Sequence, residues 1–181
     1  MAFKPLQMGT NFMLGQDTTV PLTTNNFEIR VYNLDGSSPT ENADLLTLST
    51  DEIGQIEQDQ DVITVHYGNG IIKFPAKVSF NDVDWTLNCY CSPNVADSLQ
   101  AWSDKVYDGN TERMGLPSEY MRNVYFIKYD GQGNARQVLK APGTWIRALK
   151  YGAMNQQGGE VVKISCTLVI SKIIYMNPED I

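Results

Sequence analysis

The sequence predicts a mainly β fold, a β-sandwich or barrel-like domain of two sheets with one flanking α-helix. Three observations carry this. Apolar and polar residues alternate in run after run, the period-2 pattern of half-buried strands. Clusters of Gly, Asn, Asp and Gln at 68–70, 130–134 and 155–159 separate the runs as turns. One segment alone, after Ser92-Pro93, repeats its apolar residues at helical spacing.

The elements follow in order. Residues 1–25 are expected to form an N-terminal arm ahead of a domain spanning 26–181. The opening MAFKPLQMGTNFML lacks the regions of a signal peptide. In FEIRVYN (27–33), Phe27, Ile29 and Val31 alternate with Glu28, Arg30 and Tyr32, which predicts a strand. LDGSSPTENAD (34–44) is loop chemistry, and LLTLST (45–50) is a short strand candidate. The acidic, weakly patterned 51–61 reads as a loop. Residues 62–80 hold two β-rich runs around Gly68-Asn69-Gly70, residues that tolerate the positive φ of a tight hairpin. Pro75 should end or edge the second strand.

In 83–91, Val83, Trp85, Leu87, Cys89 and Cys91 share one face, opposite Asp84, Thr86, Asn88 and Tyr90. Ser92 then suits an N-cap and Pro93 the first helical turn. Val95, Leu99, Trp102 and Val106 form one helical stripe, and Gly109 is a plausible stop. Residues 110–122 read as a loop, and 123–129 as a strand. Residues 136–154 give one strand bent at Pro142-Gly143, or two. Residues 160–176 read as one long strand with Val162, Ile164, Cys166, Leu168 and Ile170 on a single face. The expected core therefore includes Trp85, Leu87, Val95, Leu99, Trp102, Val106, Ile164 and Leu168.

Composition and motifs disfavour catalysis, metal and cofactor. A net charge of −7 argues against tight nucleic-acid binding, which needs Lys and Arg to displace counterions. No apolar window approaches a membrane span. A zinc site needs four ligands, and the soft ligands are Cys89, Cys91, Cys166 and His66. All three cysteines fall on apolar strand faces, where a free thiol behaves as a small hydrophobe. His66 stands in the hairpin without the context of a nucleophilic triad. No phosphate loop or calcium loop is in register.

The order of pieces resembles a known family. Asp84-Trp85-Thr86 runs straight into a helix from Ala96 to Trp102. A Pro142-to-Trp145 element follows, then a final strand from Glu160 to Leu168. This arrangement, over roughly residues 26–176, resembles the tail tube proteins of contractile-tailed bacteriophages. The fold is shared with the ring and tube protein of type VI secretion. The resemblance implies a structural, non-enzymatic subunit of the virion tail, assembled in the host cytoplasm. It implies hexameric rings that stack into a tube, with sheath, baseplate and tail terminator proteins as partners. DNA would cross the lumen without specific binding. The hairpin becomes the candidate assembly element, through Val62, Thr64, His66, Gly68, Asn69, Gly70, Ile72 and Phe74. A type VI-like secreted ring protein is one alternative, and a carbohydrate-binding β-sandwich module is another.

Overall fold

The protein is described from a computed structural model, which covers residues 22–35, 38–40, 42–90, 94–130, 132–152, 159 and 161–180. Strand β1 (Phe27–Asn33) leads to helix α1 (Ala43–Ser49) and β2 (Thr50–Ile53). The hairpin strands β3 (Gln58–Tyr67) and β4 (Gly70–Phe80) come next, then β5 (Val83–Asn88) and helix α2 (Val95–Asp104). Two short strands follow, β6 (Tyr107–Asp108) and β7 (Arg113–Met114), and a one-turn helix α3 (Pro117–Tyr120). The chain closes with β8 (Arg122–Tyr129), β9 (Ala135–Lys150), β10 (Lys163–Val169), β11 (Ile174–Met176) and a 3-10 turn.

The main sheet runs β1-β8-β9-β10-β5-β2, with β11 added on β9. Its pairings are antiparallel. The hinge is β9. Its first half pairs with β8 and β11, and its second half with β10. The change of partner falls between Thr144 and Trp145, just past Pro142-Gly143, where Gly143 takes φ +70°, a conformation that a residue with a Cβ rarely adopts. One strand therefore serves two layers. The inner faces of both layers meet in one core, with Ile29, Val31, Val124 and Phe126 from one side and Val83, Trp85, Leu87, Ile164, Cys166 and Leu168 from the other.

Helix α2 packs Val95, Leu99 and Trp102 into this core. The Trp102 Nε1 donates to the Tyr120 carbonyl at 2.7 Å, and the Trp85 Nε1 to the Thr50 hydroxyl at 3.1 Å. Both indoles thus satisfy their polar atom while burying the ring. Val106 lies beyond the end of α2 and is half-buried.

Several expectations from sequence need correction. Residues 45–49 are not a strand but lie in α1, and only Thr50 is extended, as the first residue of β2. Ala43, Leu46 and Ser49 recur at threes and are buried, and the Ser49 and Thr50 hydroxyls donate back to the carbonyls of Leu45 and Leu46. Consecutive leucines fit a helix better than an alternation. The stretch 51–61 is not all loop, because β2 needs only the backbone ladder to β5 and one anchor, Ile53. Helix α2 is capped by Asn94, whose side chain accepts from the Ala96 amide, and ends at Asp104, short of Gly109. Residues 110–122 contain β7 and α3. The final run breaks after Val169, so that β11 returns to the first half of β9 instead of prolonging β10. The expected cap Ser92, Pro93 and Cys91 lie outside the described residues.

Candidate assembly surface

Hairpin β3–β4 stands apart from the main sheet as its own two-stranded ladder. All ten residues of β3 are exposed, and in β4 only Ala76 and Phe80 are half-buried. Gly68 takes φ +58° in the two-residue turn, which sets Tyr67 opposite Gly70. From there the register places Val65 against Ile72, and Ile63 against Phe74. Strand residues two apart share a face. One face therefore carries Ile63, Val65, Tyr67, Ile72 and Phe74. The other carries Val62, Thr64, His66, Ile71 and Lys73 and, because the register shifts by one residue between Gln60 and Val62, also Val78 and Phe80, which stand opposite Gln60 and Gln58. A bulge between Gln60 and Val62 lies near Pro75, which sits opposite Val62 and edges the strand without ending it.

The expected assembly residues thus divide. Ile72 and Phe74 lie on the apolar face, with Gly70 at its tip; Val62, Thr64 and His66 lie on the polar one. Ile63, Val65 and Tyr67 belong to the apolar face and were not singled out from sequence. The signal was present: a two-residue turn at 68–69 pairs odd residues of β3 with even residues of β4.

The hairpin continues the β2–β5 edge of the main sheet. The Gly54 amide donates to the Asp84 carbonyl at 2.7 Å, and the Asn81 amide to the Glu57 carbonyl at 3.3 Å. Asn81 also clamps the joint with its side chain. Its Oδ1 accepts from the Glu57 amide at 2.6 Å, and its Nδ2 donates to the Gln55 carbonyl at 2.9 Å. Phe80, opposite Gln58 and so on the face of Val62, Thr64 and His66, packs against the core. That face continues the core side of the sheet, and the face of Ile63, Val65 and Phe74 is the reverse one.

The opposite face of the sheet is polar. Asp84, Thr86 and Asn88 on β5 stand beside Thr167, Ser165 and Lys163 on β10. Lys163 pairs with Asp51 at 2.6 Å and holds that carboxyl below its usual range. Arg147 pairs with Asp82, Lys150 stands 4.0 Å from Asp84, and the Thr167 hydroxyl donates to Asp84 at 2.6 Å. The charges of this wall neutralise one another across strands.

Elsewhere, Cys166 is buried and its thiol is pushed up to about 12 by burial and by the Asp84 charge. Cys89 is half-buried against the core, which also raises its pKa. Among the described residues, no three His, Cys, Asp or Glu side chains are grouped to hold a metal ion, and no helix is long and apolar enough to cross a membrane.

Solved structures share this architecture. A chain of the PVC extracellular contractile injection system, from its sheath–tube complex in the extended state, aligns over 97% of this chain and 99% of its own, with 10% identity and a TM-score of 0.65. A chain of the anti-feeding prophage baseplate aligns over 88% and 98%, with 7% identity and a TM-score of 0.66. A chain of the SPP1 tail tube aligns over 86% and 78%, with 12% identity and a TM-score of 0.54. No family model matches the chain, and no curated protein matches it significantly. The likeness is one of fold, and the fold is that of tail tubes.

Proposed function

We propose that this chain is a non-enzymatic structural subunit of a tail tube, whose copies close into hexameric rings that stack into a channel. The carrying observation is the hairpin: an apolar ladder face, exposed in the single chain. Five large apolar side chains on one ladder face call for a covering layer. A second copy supplies it without any further protein. The open edges of the sheet, β1 and β2, point the same way, because a ring pairs edges that a lone subunit leaves open.

In this arrangement the apolar face of the hairpin lies against a neighbour. The ion-paired wall of β2, β5, β10 and the end of β9 faces the channel. Duplex DNA carries about one negative charge per 1.7 Å. A wall whose cations are already paired offers it no sustained hold, so a genome slides. Sheath, baseplate and terminator proteins are the corresponding partners, and the virion tail the corresponding location. The higher TM-scores to injection-system chains, 0.65 and 0.66 against 0.54 for the phage tube, favour a second reading, in which the same tube belongs to an injection apparatus.

Negative-stain microscopy of the purified full chain tests the proposal. Rings or tubes with six-fold end views are the expected result. Monodisperse monomer at every concentration and salt condition would sink it. Release of DNA from particles carrying the tube separates the phage reading from the injection reading.

A further inference from the structure

One groove carries charge that the described residues do not neutralise. It lies where α1, α2 and the start of β8 meet, and it encloses about 340 Å³. Arg122 and Lys105 both line it, and among the described residues no acidic one does. Arg122 opens β8 on the same face as Val124 and Phe126, so it enters from the core side. It is only 8% exposed. Its Nη1 donates to the Met121 carbonyl at 3.2 Å, and among the described residues no carboxylate stands within salt-bridge distance. Burial pushes its pKa down. The Lys105 ammonium likewise has no acid partner among the described residues. The polar neighbours are already engaged: Asn33 donates to Ser38, Asn42 to Ser98, and Thr40 to the Val31 carbonyl.

A guanidinium this buried is normally paired, because an uncompensated buried charge destabilises the folded state. We infer that the groove receives a carboxylate from a second copy of the chain. The inference rests on the proposed tube, in which copies meet. Charge complementarity selects the occupant. The chain has 21 acidic residues against 14 basic ones, so its copies present an excess of carboxylates. Asp61 on the hairpin is one such acid, exposed and without a partner among the described residues. A planar guanidinium matches a carboxylate in a two-bond fork, and Lys105 adds a second charge at the mouth.

The test uses the full chain carrying Arg122→Gln or Lys105→Ala. Assembly is followed by sedimentation across a salt series, and the unassembled subunit by thermal melting. The expected result is an unchanged or higher melting temperature for both, with a tenfold or greater rise in the concentration needed for assembly. The salt dependence of that concentration should flatten, since the lost contact is the one that salt screens. Should Arg122→Gln fail to fold, Lys105→Ala alone decides, because Lys105 is exposed. Assembly at the wild-type concentration with the wild-type salt slope overturns the inference while leaving the tube intact. Absence of any assembly by the unsubstituted chain overturns the tube reading and this one with it. Two further outcomes also overturn it. One is that inorganic phosphate raises the melting temperature of the subunit only when Arg122 is present, which makes the groove a small-anion site. The other is that Glu41→Gln, at the residue between the lining residues Thr40 and Asn42, reproduces the effect of Arg122→Gln on melting, which gives the guanidinium a partner within its own chain.

Discussion

Trp102 ties the helix to the sandwich by two means, its ring in the core and its Nε1 on the Tyr120 carbonyl. Truncation to Ala removes both and leaves a cavity, at an expected cost of about 3–5 kcal/mol. Trp102→Phe keeps most of the ring and loses only the hydrogen bond, for about 1–2 kcal/mol. Denaturant unfolding of the two variants checks the order; an Ala variant as stable as the parent would remove Trp102 from the core. Cys166 makes a different prediction. Its thiol, held near 12, is almost wholly protonated at pH 8 and shielded by the core. Peptide mapping after treatment of the folded chain with a thiol reagent should find Cys166 unmodified, and modified only after denaturation. The apolar strand faces of Trp85, Leu87, Ile164 and Leu168 were legible from alternation alone, because side chains on a strand have one inside and one outside. The groove at Arg122 was not. A single arginine at the start of a strand carries no sign of whether its charge will be matched, since that depends on what α1 and α2 bring over it.

Elements were legible where a local pattern governs them and illegible where tertiary contacts do. The hairpin announced itself through Gly68-Asn69, and the bend of β9 through Pro142-Gly143. Helix α1 did not, because seven residues with buried Ala43 and Ser49 give too short a stripe to tell from a strand. Strand β2 did not, because an edge strand is defined by its neighbour's backbone. The β8–β9 connection shows how a turn is held by one side chain. Asp130 accepts from the Gln132 and Asn134 amides at 2.9 Å each and from the Arg136 Nε at 2.8 Å. These bonds, the Asn134 amide foremost, depress its pKa to about 2. The folded value lies below the ordinary 3.8, so the contribution of Asp130 to stability is present above pH 3.8 and lost as pH falls toward 2. Melting temperature followed from pH 5 to 2 should fall less steeply in Asp130→Asn than in the parent; parallel curves would deny the turn this role. At the other joint, Asn81→Ala removes both bonds that clamp the hairpin to the body. Amide exchange in β3 and β4 should quicken while that of β5 and β10 stays as it was, and uniform exchange across all four strands would show that the clamp does not set the hairpin.

At the scale of the whole molecule, sequence order pointed to the fold, whereas the faces of the hairpin required the register. Knowing that Tyr67 stands opposite Gly70 converts a β-rich stretch into an apolar side and a polar side, and these should behave differently on substitution. Phe74 and Ile63 face each other on the apolar side, half-exposed in the single chain. Replacing either with Asp removes no core contact, so the subunit should fold and melt as the parent does. Fully burying such a side chain contributes about 1.5–3 kcal/mol, so closing a half-exposed one against a neighbour contributes about half that. A carboxylate in its place must instead be desolvated without a partner. Phe74→Asp should therefore abolish tubes while leaving the monomer intact. Lys73→Asp, one residue away on the polar side, reverses a charge without entering the contact and should leave tubes at normal yield. Microscopy and melting of both variants decide. Tubes of normal yield from Phe74→Asp would mean that the apolar face is not the surface on which copies join.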